Sequence, residues 1–154
     1  AEGASFPFVV VAPQCPEGQT WDPYVLEALL DRIIADHRID ESRLYVTGLS
    51  MGGQGVWAMA NHCPERLAAI VPICPPYVWF PAERLKHLPV WCFHGAMDSA
   101  VPLTDAIRVV RGLRAAGVNV RFTVYSDADH DSWSATYDNP KLYDWLLLHK
   151  RRRP

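Results

Sequence analysis

The chain has 154 residues, a formal net charge of -2, 49% hydrophobic residues and 21% charged ones. That is the length of one ordinary domain with a real core, so residues 1–154 are read as a single domain. The composition is too apolar for a disordered chain, no apolar run reaches the ~18–20 residues of a membrane span, and a sequence pI near 6.3 argues against a nucleic-acid partner.

The chain starts at Ala1 rather than Met and soon enters an apolar run. Phe6 to Ala12 (FPFVVVA), closed by Pro13, reads as a buried strand. Asp22-Pro23 offers an N-cap with proline in the first turn, and Val25, Leu26, Leu29, Leu30, Ile33 and Ile34 follow with helical spacing. A second strand is predicted over Arg43 to Leu49, then a helix over Gln54 to Asn61. Leu67 to Cys74 and Val90 to His94 give a third and a fourth strand. Thr104 to Ala116 reads as a helix stopped by Gly117, Val118 to Tyr125 as a fifth strand, and Pro140 to Lys150 as a last helix. This alternation predicts an α/β fold, a mostly parallel sheet of about five strands with helices on both faces. Chemistry in such sheets gathers at the carboxyl ends of the strands.

The second strand ends in Gly48-Leu49-Ser50-Met51-Gly52, a G-x-S-x-G motif. A sharp strand-to-helix turn strains the serine backbone and exposes its hydroxyl, and glycines at the flanks make the turn sterically possible. The serine also sits at a helix N-terminus, where the Met51 N–H is free to stabilise a developing oxyanion. A serine hydroxyl needs a neighbouring base. His130 follows the fifth strand in Asp127-Ala128-Asp129-His130-Asp131-Ser132-Trp133, and Asp98 follows the fourth in His94-Gly95-Ala96-Met97-Asp98. Ser50, Asp98 and His130 are therefore the candidate nucleophile, orienting acid and base. Asp127, Asp129 and Asp131 compete for the acid's role by proximity. Immediate chain neighbours usually point away from one another, so Asp98, on another strand, is better placed.

Other features are read more plainly. His94 reads as structural, and His37, His62, His87 and His149 carry no motif. Cys74 and Cys92 read as small buried hydrophobes, while Cys15 and Cys63, each before a proline, leave a disulfide open. No C-x-x-C metal motif is present. Asp127, Asp129, Asp131 and Asp138 fit positions 1, 3, 5 and 12 of a calcium loop, but Ser132 stands where that loop needs glycine, so no metal is expected. Trp21 and Trp133, with Tyr77, Trp79 and Phe80, lie on loops and are candidates for substrate contact, with loop packing as the alternative. Trp57, Trp91 and Trp145 look like core. Arg108, Arg111 and Arg114 form a solvated ridge. No targeting segment is visible, so the compartment, cytoplasmic or secreted, stays open.

Ala12-Pro13-Gln14-Cys15-Pro16 with Trp21, Arg43 to Gly53, the Phe93-His94-Gly95 strand end with Asp98 and Val101-Pro102, and His130-Asp131-Ser132-Trp133 together resemble one family group. It is the α/β-hydrolase serine esterases related to dienelactone hydrolase, polyhydroxybutyrate depolymerase and feruloyl esterase, with prolyl-oligopeptidase-like domains as distant kin. The resemblance implies carboxylic-ester hydrolysis of a small molecule through an acyl-serine, without cofactor, by Ser50, Asp98 and His130. Two departures stand out. The base is usually preceded by glycine, and here by Asp129. Dienelactone hydrolases proper use a cysteine nucleophile, and here it is Ser50. The resemblance also implies an upstream strand and a His-Gly motif that donates the second oxyanion N–H, neither of which lies in these residues. On that reading the domain is N-terminally incomplete, and the first two predicted strands must pair directly or leave open edges. A non-catalytic binding domain and a serine peptidase remain the alternatives to an esterase.

Overall fold

Asp22 starts the first helix as predicted: its carboxylate accepts the Tyr24 N–H at 2.8 Å, and Pro23 occupies the first turn of α1, Pro23–Asp36. The computed structural model describes residues 6–151. Four strands form one parallel sheet in the order β1-β2-β3-β4: β1 Tyr45–Leu49, β2 Ala69–Ile73, β3 Val90–Gly95 and β4 Val120–Tyr125. The register aligns Thr47 with Val71, and His94 with Val124. Between them run α2, Met51–His62, and α3, Leu103–Ala115; α4, Trp133–Tyr137, and α5, Pro140–Leu148, follow the sheet.

The central strands β2 and β3 are buried along their whole length, as expected where helices cover both faces. Ile70 and Val90 point to one face, against Val56, Trp57 and Ala60 of α2 and Val109 and Leu113 of α3. Leu26, Leu30 and Ile34 of α1 join that side, while Val25 stays exposed. Val71, Ile73, Trp91 and Phe93 point to the other face, against Leu142 and Leu146 of α5.

One predicted element is absent. Residues 6–12 form no strand, and the sheet has four strands among the described residues where about five are expected. Phe6, Val9, Val10 and Val11 are exposed at 55%, 69%, 71% and 45%. A strand exists only when a neighbour takes its N–H and C=O groups, and this segment pairs with neither edge of the sheet. The direct pairing of the first two predicted strands is likewise not formed. Phe8 still packs edge-on against Tyr45. The four cysteines are buried and free, so the disulfide left open at Cys15 and Cys63 is not made.

Candidate active site

The chain turns from β1 into α2 at Ser50, whose φ of 51° and ψ of -121° lie outside the regions open to ordinary side chains. The Ser50 N–H donates to the Ile73 carbonyl at 2.9 Å, which pins the turn to β2. Gly48 is required by close approach, since a Cβ there would lie 2.5 Å from the Gly52 carbonyl oxygen. Gly52 itself faces open space, so its expected steric role is not seen. Met51 is the first residue of α2, and its N–H has no acceptor within the helix.

His130 and Asp98 come from the ends of β4 and β3, on the same carboxyl edge as Ser50. His130 Nε2 lies 3.0 Å from Ser50 Oγ, and His130 Nδ1 lies 2.9 Å from Asp98 Oδ2. The Asp98 side chain is fully buried, whereas that of His130 is 26% exposed. Burial raises the Asp98 pKa, but the His130 hydrogen bond and the Val101 and Ala100 N–H groups, at 2.8 and 3.0 Å, outweigh it and hold the carboxyl below its ordinary value. The acid is therefore ionised across the neutral range.

The competing aspartates have other partners. Asp129 accepts from Ser99 N and Oγ and from the His130 N–H, and the Ser99 bonds lead in holding its pKa low. Asp131 caps α4 through Ser134 N and Oγ, at 3.0 and 2.8 Å. Asp129 and Asp131, two of the four aspartates of the calcium-loop pattern, are thus engaged within the protein.

His94 is structural, as its sequence reading expects, and it also stands beside Asp98. It is fully buried, its Nε2 lies 2.9 Å from the Val101 carbonyl, and the same nitrogen is 3.3 Å from Asp98 Oδ2. Both neighbours are acceptors, so Nε2 carries the proton. The signal was present as a four-residue spacing between His94 and Asp98 across a strand end. Cys74 is the other missed neighbour. It follows β2 with φ of 38°, and its sulfur stands close to Asp98 and His130. Burial pushes its thiol pKa up.

The two tryptophans proposed for substrate contact separate. Trp133 meets His130 edge to face, with centroids 5.4 Å apart, and so borders the site. Trp21 packs on α2, where a Cβ at Gly55 would lie 2.8 Å from its ring, and it lines a small depression with Cys15, Leu26 and Leu29. Its ring nitrogen is buried without a partner. Of the aromatic loop after β2, Phe80 packs on Trp57, Arg108 lies over Tyr77, and Trp79 alone is largely exposed.

A parallel sheet flanked by helices, with a strained serine between strand and helix, a histidine and a buried aspartate on one carboxyl edge, is an α/β-hydrolase fold. The chain belongs to the dienelactone hydrolase family, whose family model matches residues 21–141. It is 33% identical to a thermostable esterase of known crystal structure, with a TM-score of 0.85 over 91% of this chain and 43% of that one. It is 26% identical over 147 residues to the bifunctional acetylxylan esterase/xylanase XynS20E of Neocallimastix patriciarum, covering 90% of this chain and 21% of that protein. SOBER1 of Arabidopsis thaliana shares the fold at 22% identity and a TM-score of 0.68, over 82% of this chain and 61% of that one. The chain thus spans about a fifth of the Neocallimastix patriciarum enzyme and under half of the thermostable esterase. No helix among the described residues is long and apolar enough to cross a membrane.

Proposed function

We propose that this domain hydrolyses carboxylic esters of small molecules through an acyl-serine intermediate. The observation that carries the reading is the unbroken chain of contacts from Ser50 Oγ to His130 Nε2 and from His130 Nδ1 to Asp98. In the first half-reaction Ser50 Oγ attacks the ester carbonyl as its proton passes to His130 Nε2. Asp98 holds the proton on Nδ1, which leaves Nε2 free to accept, and stabilises the imidazolium. The tetrahedral oxyanion develops beside the Met51 N–H at the start of α2, where the helix dipole adds to the donor. Collapse expels the alcohol, which takes the proton back from His130. Water, deprotonated by the same ring, then releases the acid and restores Ser50.

Residues 1–154 are read as part of one hydrolase domain, and the edge-to-face contact of Trp133 with His130 supports reading Trp133 as a wall of the substrate cleft. An ester rather than a peptide is favoured because the thermostable esterase is the more similar relative, at 33% identity, while the peptidases of the same fold stand at 14–15%. The test compares an aryl acetate with a peptide anilide as substrates of the purified chain. Faster turnover of the ester, lost in Ser50→Ala, is expected; preference for the anilide would replace the esterase reading with a peptidase.

A further inference from the structure

A sulfur stands beside His130 and Asp98. Ligand atoms of Cys74, Asp98 and His130 all lie within 4.8 Å of one another. The positive φ of Cys74 turns the chain sharply as it leaves β2. A tetrahedral zinc site sets its ligand atoms roughly 3.5 Å apart, given metal–ligand bonds of about 2.0–2.3 Å. The donor set is one thiolate, one imidazole and one carboxylate, which suits zinc or cadmium and disfavours magnesium and calcium.

We propose that Cys74, Asp98 and His130 form an inhibitory site for a soft divalent cation such as Zn²⁺. The cation is an inhibitor, not a cofactor, because it takes what turnover needs. A metal on His130 consumes a ring lone pair or displaces the Asp98 hydrogen bond, and either loss removes the base. Binding releases the thiol proton to solvent and forms a metal–sulfur bond, with no change of oxidation state. The surroundings suit a bound thiolate. The Ser132 hydroxyl, buried and with no hydrogen-bond partner among the described residues, stands beside the sulfur. Donors of this kind around a ligand stabilise metal sites. His130 gives the ion its way in, as the one partly exposed side chain of the three.

The proposal's inhibitory arm rests on the hydrolase reading, and its binding arm does not. Activity is measured by titrating the purified chain with ZnCl₂ against an aryl acetate. The expected result is loss of turnover that EDTA restores and that Mg²⁺ or Ca²⁺ does not produce. In Cys74→Ser, half-inhibition needs more zinc by at least the ~10–100-fold that losing even an outer-shell partner costs. Binding is read separately, from the thiolate-to-metal absorption of added Cd²⁺. That band is expected to vanish in Cys74→Ser, weaken in His130→Ala, and persist in Cys15→Ser, Cys63→Ser and Cys92→Ser. A Cys74-dependent band in a chain with no esterase activity would uphold the site and refute the hydrolase reading. Equal zinc sensitivity in wild type and a folded Cys74→Ser, or a band that follows another cysteine, would overturn the proposal.

Discussion

Asp129 and Ser99 clip together the two loops that carry the base and its acid. Asp129 Oδ1 accepts the Ser99 N–H at 2.8 Å and the Ser99 hydroxyl at 2.9 Å, and each residue is the chain neighbour of a triad member. The same carboxylate oxygen takes the His130 N–H at 2.8 Å. The residue that replaces the family's usual glycine therefore fixes the spacing between His130 and Asp98. Misplacing a catalytic group by about 1 Å can cost ~10²-fold, so Asp129→Ala is expected to lower kcat by up to that factor with little change in KM. Asp129→Asn keeps an acceptor oxygen and should recover part of the loss. The Asp129 pKa is lowered in the folded chain, so the clip is present above its ordinary value of 3.8 and lost as the pH falls through the folded value. Steady-state kinetics of the two variants check this, and equal kcat in Asp129→Ala and wild type would refute it.

Asp98→Asn should keep the shape of the site and spoil its chemistry. An amide in place of the carboxylate favours the wrong imidazole tautomer, and a loss near 10⁴-fold in kcat is the expected scale. Because the folded Asp98 pKa is lowered, its contribution to stability is present above 3.8 and disappears as the pH falls through the folded value. Acid unfolding followed by circular dichroism should thus depend less steeply on pH in Asp98→Asn than in wild type.

Ser50 stores strain. A non-glycine residue in so sparsely populated a region costs of order 1–3 kcal/mol. Ser50→Ala inherits that strain, whereas Ser50→Gly relieves it against ~0.5–1 kcal/mol of extra chain entropy in the unfolded state. Both variants should be inactive, with Ser50→Gly the more stable by about 1 kcal/mol in denaturant unfolding.

Gly95 ends β3 against the loop that leads to His130. A Cβ there would collide with the backbone carbonyls of Asp129 and Ala128. Backbone cannot swing aside as a side chain does, so Gly95→Ala must push the His130 loop outward. The expected cost is about 1–3 kcal/mol in stability from overpacking. The displaced base should lower kcat by roughly 10²-fold or more. Thermal unfolding and kinetics on the same preparation test both.

The parallel α/β alternation was legible in the sequence, and so was the placement of Ser50, Asp98 and His130 at one sheet edge. G-x-S-x-G carries its own geometry, because the turn demands glycine at Gly48 and a strand and a helix on either side. Asp98 could be preferred over Asp127, Asp129 and Asp131 because partners from separate strand ends converge on one sheet edge while chain neighbours diverge. What failed was information held by partners elsewhere. Phe6 to Ala12 has the composition of a strand, yet composition does not say which strand it pairs with. Trp21 and Trp133 were alike as loop tryptophans, and only the packing of one on Gly55 and the other on His130 separates them. Asp129, Cys74 and His94 act through contacts with the triad, and those contacts depend on side-chain directions that spacing alone does not encode.

We propose Ser50 as a nucleophile activated by His130 and Asp98. Covalent labelling of the folded chain by a serine-reactive phosphonate, read by intact-mass spectrometry, tests it most directly. One adduct is expected in wild type, none in Ser50→Ala, and slow labelling in His130→Ala. A folded wild-type chain that takes no label, or a Ser50→Ala chain that labels as fast as wild type, would contradict it.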